Sequence, residues 1–178
     1  DGNDVIILST DQGEITVDAG DGFNQLVLND SRGNHTFTIQ DGILVMNSAP
    51  TEISNVQAIE FQDGISVIAE DATEATVARM YEVMFDREAD MGGLEYWFGR
   101  IEDGATSGEI AGGFAASEEF SARYGDLSNE EVLDSFYQNA FDREADAGGK
   151  AFWLDQMADG LTEAQVAELA AAVTKVLK

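Results

Sequence analysis

The sequence predicts an α+β chain whose two kinds of structure are segregated: an all-β roll or sandwich over residues 1–70, then an all-α module over residues 71–178. Three observations predict it. Short β-branched and aliphatic runs recur at roughly ten-residue spacing up to residue 70. From about Asp71 the apolar residues fall instead at i, i+3, i+4 and i+7, the period of an amphipathic helix. The charge divides too: residues 1–70 hold 12 acids and one base, Arg32, whereas the remainder holds 23 acids and eight bases.

Taken in order, the strands are expected at Val5–Leu8, Glu14–Val17, Leu26–Leu28, His35–Ile39, Ile43–Met46 and a longer one from Ser54 to Phe61. Between them Gln12-Gly13, Asp21-Gly22, Arg32-Gly33-Asn34, Asp41-Gly42 and Asp63-Gly64 read as turns, because Gly and Asn tolerate positive φ. Ala69 to Thr73 joins the two regimes. Helices are expected over 74–86, 91–102, 107–116, 118–124, 129–141, 147–158 and 163–177. Val77, Met80, Tyr81, Met84 and Phe85 form the apolar stripe of the first. Thr106 with Glu109, Ser128 with Glu131 and Thr162 with Gln165 fit capping boxes, and Gly104, Gly125 and Gly160 sit where helices should stop.

Composition removes several function classes. The chain has 178 residues, 44% of them apolar, and a net charge of −26, so it can bury a core but should repel nucleic-acid phosphates and anionic membrane surfaces. No apolar run approaches the ~20 residues of a membrane span, so no membrane insertion is expected. The absence of Cys removes disulfides, thiol nucleophiles and zinc fingers. The single His, His35, sits in an alternating run and reads as a surface strand residue; no Ser has another base to activate it. An enzyme is therefore not expected. Asp1 opens in mid-motif, which suggests part of a larger polypeptide.

The clearest signal is internal. Tyr81-Glu-Val-Met-Phe-Asp-Arg-Glu-Ala-Asp-Met-Gly-Gly-Leu-Glu-Tyr-Trp97 returns 56 residues later as Tyr137-Gln-Asn-Ala-Phe-Asp-Arg-Glu-Ala-Asp-Ala-Gly-Gly-Lys-Ala-Phe-Trp153. Each copy reads as a helix end, an acidic loop and the first turn of the next helix, with Asp90 or Asp146 as its cap and the Trp in the core. The spacing of Asp86, Glu88 and Asp90 is that of the first EF-hand ligands. The Gly, however, is displaced by one, Trp97 stands where a bidentate Glu belongs, and Arg87 neutralises the loop. An Asp/Arg-braced corner is the simpler reading, and a sugar-stacking platform of Trp and Tyr rings is the other alternative. With Ala-Ser-Glu-Glu-Phe at 116–120, these motifs resemble the domain-of-unknown-function 4214 family over about 76–178, although the family more often has Leu-Gly-Arg where Phe85-Asp86-Arg87 stands. The resemblance implies a small helical module of large secreted or cell-surface bacterial proteins, with no catalytic residues.

The first stretch carries a second pattern. Ala19-Gly20-Asp21-Gly22-Phe23-Asn24-Gln25-Leu26-Val27 fits the nonapeptide G-G-x-G-x-D-x-U-x with two substitutions, and Asp1-Gly2-Asn3-Asp4-Val5-Ile6-Ile7 fits its last seven positions. Gly2 and Gly22 are 20 residues apart, close to the ~18 of two stacked nonapeptides, so the pairs Asp4/Asn24 and Asp1/Asp21 would face one ion. This resembles the repeats-in-toxin β-roll of calcium-dependent, type I-secreted proteins, and Ile53 to Gly64 resembles the strand and turn that often close such arrays. The resemblance implies calcium held by Asp1, Gly2, Asp4, Gly20, Asp21, Gly22 and Asn24. An ordinary Gly-Asp turn pair in a sandwich stands beside it. The function expected is a non-catalytic, calcium-stabilised module of an extracellular protein, serving adhesion, spacing or folding after export. Alternatives are a carbohydrate-binding module, with a glycan or surface component as partner, and an accessory domain of a secreted enzyme.

Overall fold

A computed structural model describes residues 2–9, 14–40, 43–47 and 51–174. The expected turns at Gln12-Gly13 and Asp41-Gly42, and the expected ligand Asp1, lie outside the described residues. The chain is α+β, with strands between residues 5 and 67 and helices between 72 and 173. It divides into two compact units, Asp1–Glu70 and Asp71–Lys178.

In the first unit the strands are β1 (Val5–Leu8), β2 (Ile15–Asp18), β3 (Gln25–Leu28), β4 (Phe37–Gln40), β5 (Ile43–Met46), β6 (Thr51–Ser54), β7 (Ala58–Phe61) and β8 (Gly64–Val67). They form two sheets, ordered β1-β3-β7-β8 and β2-β6-β5-β4. The chain passes alternately between them, so β1, β3 and β7 pair in parallel in one sheet, and β2 and β6 pair in parallel in the other. The hairpin β4–β5 and the strand β8 add antiparallel edges. Alternation along each strand supplies the core: Leu8, Val17, Leu26, Leu28, Met46, Ile53, Ile59 and Phe61 come from both sheets and are buried together. Val5 and Ile7, on the opposite face of β1, are exposed.

Two expectations change here. Ser54 to Phe61 is not one strand. Asn55 adopts a left-handed conformation (φ 58°), so β6 ends in one sheet and β7 begins in the other; Asn reaches this region at lower cost than most residues. His35 is not a surface strand residue either. It is buried ahead of β4, its ring 5.8 Å from that of Phe61 and its Nε2 3.6 Å from Asp30 Oδ2.

The second unit contains α1 (Ala72–Phe85), α2 (Met91–Glu102), α3 (Ser107–Ala115), α4 (Glu118–Tyr124), α5 (Asn129–Phe141), α6 (Ala147–Ala158) and α7 (Glu163–Val173). α1 is the central element, touching α7, α5, α3 and α2, and its stripe of Val77, Met80, Tyr81, Met84 and Phe85 is buried. All three capping boxes form, at Thr106, Ser128 and Thr162. Polar ties join the helices inside: the Tyr124 hydroxyl donates to the Met84 carbonyl (2.7 Å), and Arg79 Nε donates to the carbonyl of Ala171 (2.9 Å). Gly104 and Gly160 close their helices at φ 92° and 108°, whereas Gly125 stays right-handed at φ −58°. No helix among the described residues is long and apolar enough to cross a membrane.

Candidate functional site

The glycine-bearing turns of the first unit stack. The parallel register of β1 on β3 carries an offset of 20 residues, pairing Val5 with Gln25, and this superposes the segment before β1 on the segment before β3. Gly2, Gly20 and Gly22 take positive φ (107°, 76° and 107°). A Cβ on Gly22 would stand 2.7 Å from the Gly2 carbonyl oxygen, so the turns approach too closely for a side chain there. Asn3 Oδ1 accepts from the Phe23 N–H at 3.0 Å.

Asn24 sits at the centre of the stack and is fully buried. Its Oδ1 accepts from the Asp4 N–H at 3.0 Å. Its Nδ2 donates into a cage of three carbonyls: Gly20 at 3.0 Å, Gly22 at 3.2 Å and Asn55 at 2.9 Å. The third turn closes from below, where the Asn24 N–H donates to Gln57 Oε1 (2.8 Å) and the Gln57 N–H donates back to the Asn24 carbonyl (2.9 Å). Asn55 donates to Asp18 Oδ1 (2.6 Å); that bond, with the Gly20 N–H, holds the Asp18 carboxyl below the ordinary aspartate range.

Three converging carbonyls suit a hard cation in kind. The group they hold, however, is a neutral amide nitrogen, so an ion does not fit at that point while Asn24 occupies it. The sequence-expected ligands thus divide. Gly20 and Gly22 satisfy Asn24 and Gly2 stacks on Gly22, whereas Asp4 and Asp21 stand exposed at the rim. Among the described residues no cluster of three or more His, Asp or Glu side chains is assembled.

The second unit has two corners of near-identical sequence, α1–loop–α2 and α5–loop–α6. Each first helix ends on a left-handed Asp, Asp86 (φ 49°) or Asp142 (φ 52°). Each second helix is capped by an Asp that accepts from a Gly N–H at 2.9 Å, Asp90 from Gly93 and Asp146 from Gly149. Each loop Arg lies over two rings: Arg87 is 5.0 Å from the Tyr81 centroid and 5.7 Å from Phe85, and Arg143 is 5.6 Å from both Tyr137 and Phe141. In the first loop the Asp90 carboxylate is therefore engaged both by the Gly93 N–H and by Arg87, which donates to it at 3.3 Å.

The corners differ in what covers them. At the first, Phe114 of α3 packs 4.8 Å from Tyr81, 5.6 Å from Phe85 and 5.0 Å from Trp97. Glu119 of α4 receives both ends of the Arg87 guanidinium at 2.9 Å, which lowers the Glu119 carboxyl below its ordinary range. Burial, aided by the Asp90 charge, pushes the Tyr81 hydroxyl up to about 12. At the second corner Tyr137 and Phe141 are half-buried and Arg143 is exposed. The two tryptophans are not core residues as expected; Trp97 and Trp153 are both half-buried, and Trp153 donates its Nε1 to the Tyr137 hydroxyl at 3.0 Å. Glu119 stood in the sequence only as part of the Ala116–Phe120 motif and Phe114 carried no signal; the neighbouring Gly113, where a Cβ would lie 2.6 Å from the Trp97 ring, lets α3 approach.

No curated protein and no solved structure matches the chain. A family model does, described as a domain of unknown function (DUF4214), over residues 56–124 and again over 111–171. The first match begins at Val56, ahead of the helical unit, and so takes in β7 and β8 as well as α1 to α4. With the two matches together spanning more than half of its length, the chain belongs to the DUF4214 family.

Proposed function

We propose that this chain is a non-catalytic, calcium-stabilised module of a larger secreted or cell-surface bacterial protein, serving adhesion, spacing or folding after export. On this reading residues 1–70 are a repeats-in-toxin-like roll end, and residues 71–178 are an all-α module built from two copies of one helix–loop–helix. The observation that carries it is the stack of three turns, two on positive-φ glycines and the third on positive-φ Asn55, with parallel strands and inward carbonyls. Calcium is assigned to the rim, where Asp4 and Asp21 retain exposed carboxylates in a unit with 12 acids and one base. Extracellular calcium sites bind at about 0.1–1 mM, so ~10 mM calcium adds roughly 1.4–2.7 kcal/mol by mass action. Thermal unfolding in calcium, in chelator and in matched magnesium tests this. Calcium should raise the transition of the first unit selectively, and Asp4→Ala with Asp21→Ala should abolish the rise. An equal response to magnesium would mean charge screening alone.

A carbohydrate-binding role is the second reading. It is supported by exposed rings on α2 and α6, Tyr96 (59% exposed) and Phe152 (56%), each edge-on to its neighbouring Trp at 4.7 and 5.2 Å. Binding on a glycan array that is lost in Tyr96→Ala or Phe152→Ala would favour it over the first reading.

A further inference from the structure

The chain holds two corners with the same aromatic and Arg framework, and one of them displays what such a corner binds. At α1–loop–α2 the filler is a ring and a carboxylate five residues apart, Phe114 and Glu119, delivered by the end of α3 and the start of α4. Their coverage leaves Tyr81 and Phe85 each 3% exposed. The residues in the matching positions 56 further on are Ala170 and Lys175. A methyl group cannot occupy the volume of a phenyl ring, and a Lys carries the wrong sign for Arg143. Leu169, matching Gly113, is 45% exposed, and Val173 at the end of α7 is 68% exposed. The second corner therefore offers half-buried Tyr137 and Phe141 with an exposed Arg143 above them.

We propose that the α5–loop–α6 corner is a docking surface for a helix–turn–helix segment of another polypeptide that presents an aromatic ring at the end of its first helix and, five residues on, a carboxylate at the start of its second. The ring seats against Tyr137, Phe141 and Trp153 as Phe114 does against Tyr81, Phe85 and Trp97. The carboxylate takes both ends of the Arg143 guanidinium, a geometry that a Lys could not reproduce. Charge fixes the orientation. Asp142, Glu144 and Asp146 flank Arg143, so a single carboxylate set on the guanidinium is favoured while acids on either side of it are repelled. This inference rests on the helical unit alone and stands apart from calcium.

The full chain extended at its C-terminus by a flexible linker of about 20 residues and a second copy of residues 105–126 tests it, since the tether raises the local concentration of the segment to the ~mM range. With 5-fluorotryptophan in place of both tryptophans, the two 19F signals are assigned by Trp97→Phe. The Trp153 signal should shift, as a ring stacked on it requires, while the Trp97 signal stays in place. Phe114→Ala in the appended copy should reverse the shift. Arg143→Glu should reduce the docked fraction about tenfold, and Glu119→Arg in the appended copy should restore it. An unmoved Trp153 signal overturns the proposal, as does a shift that survives both single changes. It is equally overturned if the Trp153 signal of the unextended chain shifts with protein concentration, with soluble polysaccharide, or on Val176→Ser with Leu177→Ser, which would assign the corner to a second copy, a glycan or the chain's own end.

Discussion

Asn24 spends every polar atom it has on the turns above and below it: Oδ1 on Asp4, Nδ2 on three carbonyls, and its backbone on Gln57. Removing the side chain strands those partners in a buried place, at about 1–3 kcal/mol for each group left unsatisfied, so Asn24→Ala should lower the melting temperature of the first unit sharply. Asn24→Asp separates shape from charge. It places a carboxylate and three carbonyls around one point, a set that repels itself without a cation and holds calcium with one. The variant should unfold early in chelator and regain most of its stability in millimolar calcium, whereas the parent should show no comparable swing from this position. A calorimetric scan of both proteins in the two buffers decides it.

At the scale of elements, one motif gives opposite results at its two occurrences. A Cβ on Gly93 would lie 2.0 Å from the hydroxyl of Tyr81, whose ring is wedged against Phe85 and Phe114 and cannot swing aside. A Cβ on Gly149 meets the Tyr137 hydroxyl at 3.4 Å, close to ordinary contact. Gly93→Ala should therefore destabilise by about 1–3 kcal/mol, as overpacking does, while Gly149→Ala should be neutral or gain up to about 1 kcal/mol from helix propensity. Chemical denaturation of the two variants checks the sign. The helices themselves were legible because their caps are local: Thr106, Ser128 and Thr162 each reach a residue three positions on. The coverage of the corners was not legible. Whether Trp97 and Trp153 are core depends on α3 and on what α7 lacks, and pattern along one helix does not report on its neighbour. The break at Asn55 showed only as a lapse in alternation, since Val56 falls out of step with Ile53, Ile59 and Phe61, and the two ends of the run belong to different sheets. In the turns, glycine spacing located the stack, but the substitution of Asn for Asp at position 24 looked like degeneracy when it is the group that fills the centre.

For the whole molecule, acid acts through many small terms of one sign. Hydrogen bonds hold Asp18, Asp30 and Asp146 below 3.8 and Glu109, Glu119 and Glu131 below 4.5, the ordinary values of these groups. A carboxylate with a lowered folded pKa contributes stability that is full above its unfolded value and is lost as pH falls through the folded value. Stability from these groups should thus be level above about pH 5 and decline below it, even as protonation relieves the −26 charge. Melting temperature followed from pH 7 to 3 should show that limb, and Glu119→Gln should flatten part of it. The division into two compact units makes a separate statement. Brief digestion with a protease specific for acidic residues should cut first near Glu70 and Asp71 and release two fragments that each melt cooperatively. Resistance at that border with a single shared transition would mean one core.

The carbonyl cage around Asn24 also sets an order of events. Two of the partners of Asn24 belong to residues 31 and 33 positions later, Asn55 and Gln57. When the chain is made from its N-terminus the second turn cannot lock until the third has emerged. The hairpin β4–β5, with Phe37 opposite Met46, needs no such wait. Assembly of the first unit should start from that middle segment and close toward both ends. A chain stopped before Gln57 would hold both strands of the hairpin but not the Gln57 groups that lock Asn24, and so would lack the closed stack until a few more residues arrive.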